Sequence, residues 1–195
     1  MTAGEAGAIT TDAAAAMTAG AAYRVGGRLV PSADFYRAAC DPRRSVVVEA
    51  CAGAGKTWML VSRILRALLA GSAPQDILAI TITRKAAGEM RARLALLLRE
   101  FALCSAAERE AGLRLRGCSQ GEARALAPTL EGLYERLLEG GRGVEIRTFH
   151  GWFSQLLRAA PAALLEPLGL SSDVDLLEDR SELQALSADF AIVWE

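Results

Sequence analysis

Gly53-Ala54-Gly55-Lys56-Thr57 places an ammonium and a hydroxyl directly behind small residues, a pattern suited to gripping a polyphosphate. Small side chains let backbone N–H groups turn inward around an anion, and a helix starting there points its positive end at the same charge. In that setting Lys56 reaches the β- and γ-phosphates and the Thr57 hydroxyl holds Mg²⁺. The consensus loop opens on Gly four residues before Gly-Lys-Thr; here Ala50 takes that place, followed by Cys51, Ala52, Gly53 and Ala54.

Two further stretches carry chemistry. Thr81-Ile82-Thr83-Arg84-Lys85 puts hydroxyls and two cations where a helix is expected to begin. Cations are disfavoured at that end of a helix, so the pair points to a phosphate-bearing partner. Thr148-Phe149-His150 contains the chain's only histidine. With no partner carboxylate or thiol beside it, His150 reads as a polar tether rather than an acid or base. Phe149, Trp152 and Phe153 read first as core, and second as an aromatic surface for a base or a neighbour to a phosphate.

The elements that must position these groups alternate. Tyr23 to Val30 reads as a short strand or a hairpin turning at Gly26-Gly27, and Pro31-Ser32-Ala33-Asp34 as the start of a helix running to about Cys40 and ended by Asp41-Pro42. Val46-Val47-Val48 is continuous and β-branched, the pattern of a strand buried on both faces of a parallel sheet. A helix from about Gly55 to Ala70 follows, with Arg63 and Arg66 escaping to solvent and Gly71 as the stop. Ile77 to Thr81 predicts a second buried strand, the size of a βαβ unit after the first. Ala87, Met90, Leu94, Leu97, Leu98 and Phe101 predict a one-sided helix capped by Thr83. Residues 103–140 predict two or three short helices broken at Gly112, Gly117, Gly121 and Pro128, a helical insertion whose arginines form a solvated face or a second DNA contact. Glu131 to Leu138 closes it. Val144 to Arg147 predicts a third strand, leading to a helix up to about Ala160. Val174 to Leu177 and Ser181 to Trp194 predict a short strand and a last helix.

The bulk numbers narrow the classes. A net charge of −1 gives no global pull on nucleic acid, so any polyanion site must come from local clustering. No run of about 18 apolar residues suggests a membrane span, and residues 1–22 lack a secretory start and are expected to be a disordered tail. The irregular spacing of Cys40, Cys51, Cys104 and Cys118 favours free thiols in a reducing cytoplasm over a metal site.

Taken in order, Ala50 to Thr57, Ile80 to Met90 and Thr148 to Trp152 resemble the first motifs of superfamily 1 DNA helicases of the UvrD/Rep type, closest in style to the RecB/AddA branch. The middle stretch discriminates most, because many phosphate-loop proteins share the first motif. The resemblance implies an α/β, RecA-like P-loop NTPase domain over 23–195, a parallel sheet flanked by helices with an insertion at about 103–140. It implies ATP and Mg²⁺ bound by Ala50, Cys51, Ala52, Gly53, Ala54, Gly55, Lys56 and Thr57, with Lys56 and Thr57 catalytic. Single-stranded DNA would run along Thr81, Thr83, Arg84, Lys85, Thr148, Phe149 and His150. Ile82, Arg84 and Gly151-Trp152 depart from the usual Phe, Asn and Ser-Phe, and no Gln upstream of the loop stands for the family's adenine-reading Gln.

Phosphate-loop ATPases also need an apolar strand ending in paired carboxylates. Asp175-Leu176-Leu177-Glu178-Asp179 is the nearest mimic and lacks the preceding strand. The leading expectation is therefore an incomplete ATP-binding portion of an ATP-dependent DNA helicase with a repair or recombination role. It would be inactive alone and would work with a C-terminal helicase or nuclease portion or a partner subunit. The alternatives are a truncated, non-catalytic nucleotide- or DNA-binding fragment and an unrelated P-loop kinase or NTPase.

Overall fold

The structure is a computed structural model that describes residues 23–51 and 53–169. The expected tail at 1–22, Ala52, and the expected strand and helix after residue 173 lie outside the described residues. The fold is α/β, mostly helical, with a small parallel sheet.

Strands β1 (Tyr23–Val25) and β2 (Arg28–Val30) pair antiparallel with Tyr23 opposite Val30. Gly26 and Gly27 turn between them at φ 56° and 79°, the left-handed pair that two-residue hairpins demand. Helix α1 (Ser32–Ala39) buries Tyr36 and Ala39. Helix α2 (Lys56–Leu69) starts after Gly55 and ends in a Schellman turn. There the Gly71 and Ser72 N–H groups donate to the carbonyls of Leu68 and Ala67 at 3.1 and 3.0 Å.

The expected strand at Val46–Val48 does not form: that run carries no regular structure, and Val47 is 93 % exposed. A continuous β-branched run becomes a buried strand only where neighbours supply ladders on both sides, and among the described residues none pairs with it. A similar correction applies to β3 (Leu78–Thr81), which pairs with β4 (Glu145–Thr148). The pair is extended by the Glu145 N–H donating to the Ile77 carbonyl at 3.1 Å. The expectation of burial on both faces fails here, since Leu78 and Ile80 are about two-fifths exposed.

Helix α3 (Arg84–Leu103) buries the six apolar residues of the predicted stripe. They pack with Val61, Ile64, Leu65, Leu68 and Leu69 of α2 and with Ile146 of β4 into the main core. Helices α4 (Ala106–Leu115), α5 (Gln120–Glu131) and α6 (Leu133–Glu139) complete that layer.

Of the four expected breaks in this region only Gly117 interrupts a helix. Gly112 lies inside α4, while Gly121 and Pro128 lie inside α5. Gly112 is a packing residue: a Cβ there would stand 2.6 Å from the Phe101 ring. Gly117, at φ 83°, brings the turn within 2.5 Å of the Tyr36 and Arg37 backbone measured from an added Cβ. Neither place admits a side chain without movement.

Helices α7 (Phe149–Ala159) and α8 (Ala162–Leu165) follow β4. The chain divides into two compact units, the described parts of Met1–Ala79 with Lys85–Ile146, and of Ile80–Arg84 with Arg147–Glu195.

Candidate functional site

In the first unit, the loop ahead of α2 owes its shape to two glycines, Gly53 at φ 80° and Gly55 at φ 77°. An added Cβ on Gly53 would meet nothing within 4 Å, so the left-handed backbone rather than crowding calls for glycine there. The Ala54 N–H donates to the Cys51 carbonyl at 3.3 Å, and the Met59 N–H to the Gly55 carbonyl at 3.0 Å, starting α2. The Lys56 ammonium folds back over the loop, donating to the carbonyls of Ala50 at 2.7 Å and Cys51 at 2.5 Å. The first turn of α2 has no acidic residue, so its N–H groups and Lys56 make one electropositive end.

Ala50, Cys51, Ala54, Gly55 and Lys56 line one cavity of about 670 Å³, a size usual for small-ligand sites. Gly53 and Thr57 are not among its lining residues, although Thr57 is the next residue of the helix and half-buried.

Two arginines that were expected in solvent hold this region instead. Arg63 donates to the carbonyls of Ala39 at 3.0 Å and Asp41 at 2.7 Å, and also to that of Arg44. It thereby ties the segment leading to the loop onto α2. Arg66 is 8 % exposed. Beneath the loop Tyr36 meets Trp58 edge-on at 5.0 Å. Burial pushes the nearby Cys40 thiol up to about 12, with Arg66 pulling the other way, so that thiol stays protonated and inert.

The second unit carries a strand-end shelf. Ile80, Thr81, Ile82, Phe149 and His150 enclose about 350 Å³. Phe149 is 51 % and Ile82 90 % exposed. The Phe149 and Phe153 rings stack at 4.7 Å, and Trp152 meets Phe153 at 5.1 Å. The first reading of these aromatics as core is corrected, because α7 has no buried residue. Thr148 is the N-cap of α7: its Oγ1 accepts from the Gly151 N–H at 3.1 Å. Gly151 in place of the usual Ser suits that cap, since even a Cβ there would stand only 3.0 Å from the hydroxyl. Thus Thr81, Phe149 and His150 are brought together. Thr83 and Arg84 adjoin them in sequence, and Lys85 belongs to the first unit.

The structure also separates the arginines of 103–140. Arg114 and Arg124 are exposed. Arg109 is buried, donating to the carbonyls of Phe101 at 3.1 Å and Cys104 at 2.6 Å and pairing with Glu131 at 3.0 Å. Arg116 is 2 % exposed. Neither buried arginine belongs to a solvated or DNA-contacting face.

The model of the UvrD/REP helicase N-terminal domain matches residues 33–192. The chain belongs to this family. Its UvrD/REP relatives include an ATP-dependent helicase/nuclease subunit from Lactobacillus helveticus, 43% identical over 63 residues, which are 32% of this chain and 5% of that protein. The corresponding protein from Carboxydothermus hydrogenoformans is 44% identical over 66 residues, 32% of this chain and 6% of the relative. DNA helicase II of Salmonella typhimurium is 30% identical over 150 residues, 76% of this chain and 15% of the relative. The UvrD/REP chain thus spans a small fraction of the length of these relatives. No solved structure matches it. Among the described residues no helix is long and apolar enough to cross a membrane.

Proposed function

We propose that this chain is the ATP-binding part of a DNA helicase that moves along single-stranded DNA, with a role in repair or recombination. Its fold would be that of a RecA-like phosphate-loop domain. The observation that carries the reading is Lys56, held over a glycine-shaped loop at the start of α2 on the wall of a cavity of ligand size. A triphosphate would draw the ammonium from the neutral carbonyls of Ala50 and Cys51 into charge-assisted bonds. The N–H groups of α2 would close around the same oxygens. The residues from Ala50 to Thr57 fit that ligand. Mg²⁺ keeps much of its shell as water and phosphate oxygen, so the Thr57 hydroxyl suffices as this loop's ligand. Bound ATP would supply the free energy for stepping.

The shelf at Thr81, Phe149 and His150 suits a single strand. It offers an aromatic face for a base, and Thr83, Arg84 and Lys85 follow for the backbone. Thr148 would serve it through the cap that fixes Phe149 and His150. The sequence holds no apolar strand ending in paired carboxylates, so this stretch is expected to bind nucleotide without turning it over; a partner portion would complete the enzyme. Calorimetric titration with MgATP tests the site: Lys56→Ala should weaken binding by at least about tenfold, a loss in the range of charge-assisted bonds. Equal affinity in the variant would sink the proposal, and DNA-stimulated hydrolysis by the unaltered chain would sink its non-catalytic part.

A further inference from the structure

We propose that the acidic stretch 173–182 of this chain docks on the strand-end shelf and competes there with single-stranded DNA, a built-in brake on strand binding. The competition rests on the DNA reading above; the docking does not. Charge along the chain is lopsided. Residues 171–195 hold seven carboxylates and one arginine, a net of −6, so with −1 overall residues 1–170 carry +5. The near-neutral total hides two opposed parts, and such parts attract.

Five of those carboxylates, Asp173, Asp175, Glu178, Asp179 and Glu182, fall within ten residues, with Arg180 the one cation among them. Val174, Leu176 and Leu177 are interleaved with them. The shelf is the complement. Its unit carries Arg84, Arg147 and Arg158 and, among the described residues, one carboxylate, Glu166. Ile82 is 90 % and Phe149 51 % exposed where they line the shelf with His150. A DNA strand would bring phosphates and apolar base faces to this surface. The acidic stretch brings carboxylates and aliphatic side chains instead, matched in both charge and apolarity.

Reach is no obstacle. Helix α7 leads the chain about 16 Å from the shelf. Past Pro161 the chain turns at Gly169, where a φ of 65° and an N–H donated to the Glu166 carbonyl at 3.1 Å close the turn. The ten residues that follow span up to about 35 Å when extended. A tether of this length holds the stretch at roughly millimolar effective concentration. A contact with a dissociation constant of about 0.25 mM would then weaken strand binding about fivefold.

Fluorescence anisotropy of a short labelled oligothymidine, titrated with the full chain at about 0.1 M salt, is the test. Asp175→Asn combined with Glu178→Gln and Asp179→Asn should tighten binding about fivefold. Glu110→Gln combined with Glu135→Gln and Glu139→Gln makes the same change of net charge on α4 and α6, and should tighten it less than about twofold. Equal tightening in the two triple variants reduces the effect to bulk charge and overturns the inference. So does a gain that depends on protein concentration, which would put the stretch on another copy. A labelled peptide of residues 171–182 should bind the neutralised chain at about 0.25 mM, more tightly than a peptide of scrambled order, and Ile82→Ser should weaken it at least about threefold. Indifference to order and to Ile82 takes the stretch off the shelf. If the oligonucleotide binds every form alike and the peptide does not bind, the DNA reading stands and the docking falls. If the peptide binds through Ile82 but no form binds the oligonucleotide, the docking stands and the DNA reading falls. If neither binds, both fall.

Discussion

Arg116 and Lys56 are both cations in a chain of balanced charge, and burial gives them opposite tasks. The Arg116 guanidinium lies 4.9 Å from the Trp58 ring and 5.1 Å from the Phe101 ring, and donates to the Gly112 carbonyl at 2.8 Å. Desolvated cation–ring contacts and side-chain volume are both lost on truncation, so Arg116→Ala should cost about 3 kcal/mol. The check is the urea midpoint at constant m-value. Arg116→Lys should not restore it, because a compact ammonium cannot lie flat between two rings. Lys56→Ala should do the reverse, weakening nucleotide binding by at least about tenfold with the urea midpoint unchanged, since Lys56 is exposed. Only Lys56 was legible in the sequence, where its place after Gly55 carries the meaning. Arg116 looked like one member of a charge run, because what buries it comes from α2 and α3, far away in the chain.

At the scale of elements, α4 and α5 each begin with a capping box, Ser105 with Glu108 and Ser119 with Glu122. Ser119→Ala should cost about 1 kcal/mol. The bonds have a pH signature. The Ser105 hydroxyl and N–H hold the Glu108 carboxyl below its usual value, and the Ser119 N–H and hydroxyl do the same for Glu122. A depressed folded pKa stabilises fully above the unfolded value and is lost as pH falls through the folded one. Helicity followed by circular dichroism should therefore fall on acidification below about pH 4.5. The double variant Ser105→Ala with Ser119→Ala should show a shallower fall. Both boxes can be read from Ser-x-x-Glu spacing, a signal hidden by treating the stretch as a run of charges. The α3 stripe was fully legible, because a helix declares its buried face locally. Val46–Val48 was not, because a strand exists only through its neighbours.

For the whole molecule, a net charge of −1 means that any affinity for single strands comes from a few clustered cations. Arg84→Ala and Lys85→Ala should each reduce the slope of log affinity against log salt by about 0.7, the value per phosphate contact on a single strand. Fluorescence anisotropy of a labelled oligonucleotide measured across a salt series gives that slope. Sequence motifs located the loop and the shelf. They could not reveal that α7 leaves its ring-bearing side uncovered, since amphipathic spacing states which residues group together and not what meets them. Phe149, Phe153, Leu156 and Leu164 remain 44% to 64% exposed, and exposed apolar side chains in this number are an aggregation liability. Concentrated stocks of the purified chain should therefore scatter light. A short oligonucleotide added to the storage buffer should raise the concentration at which turbidity begins, whereas heparin, a more densely anionic polymer with no bases, should not.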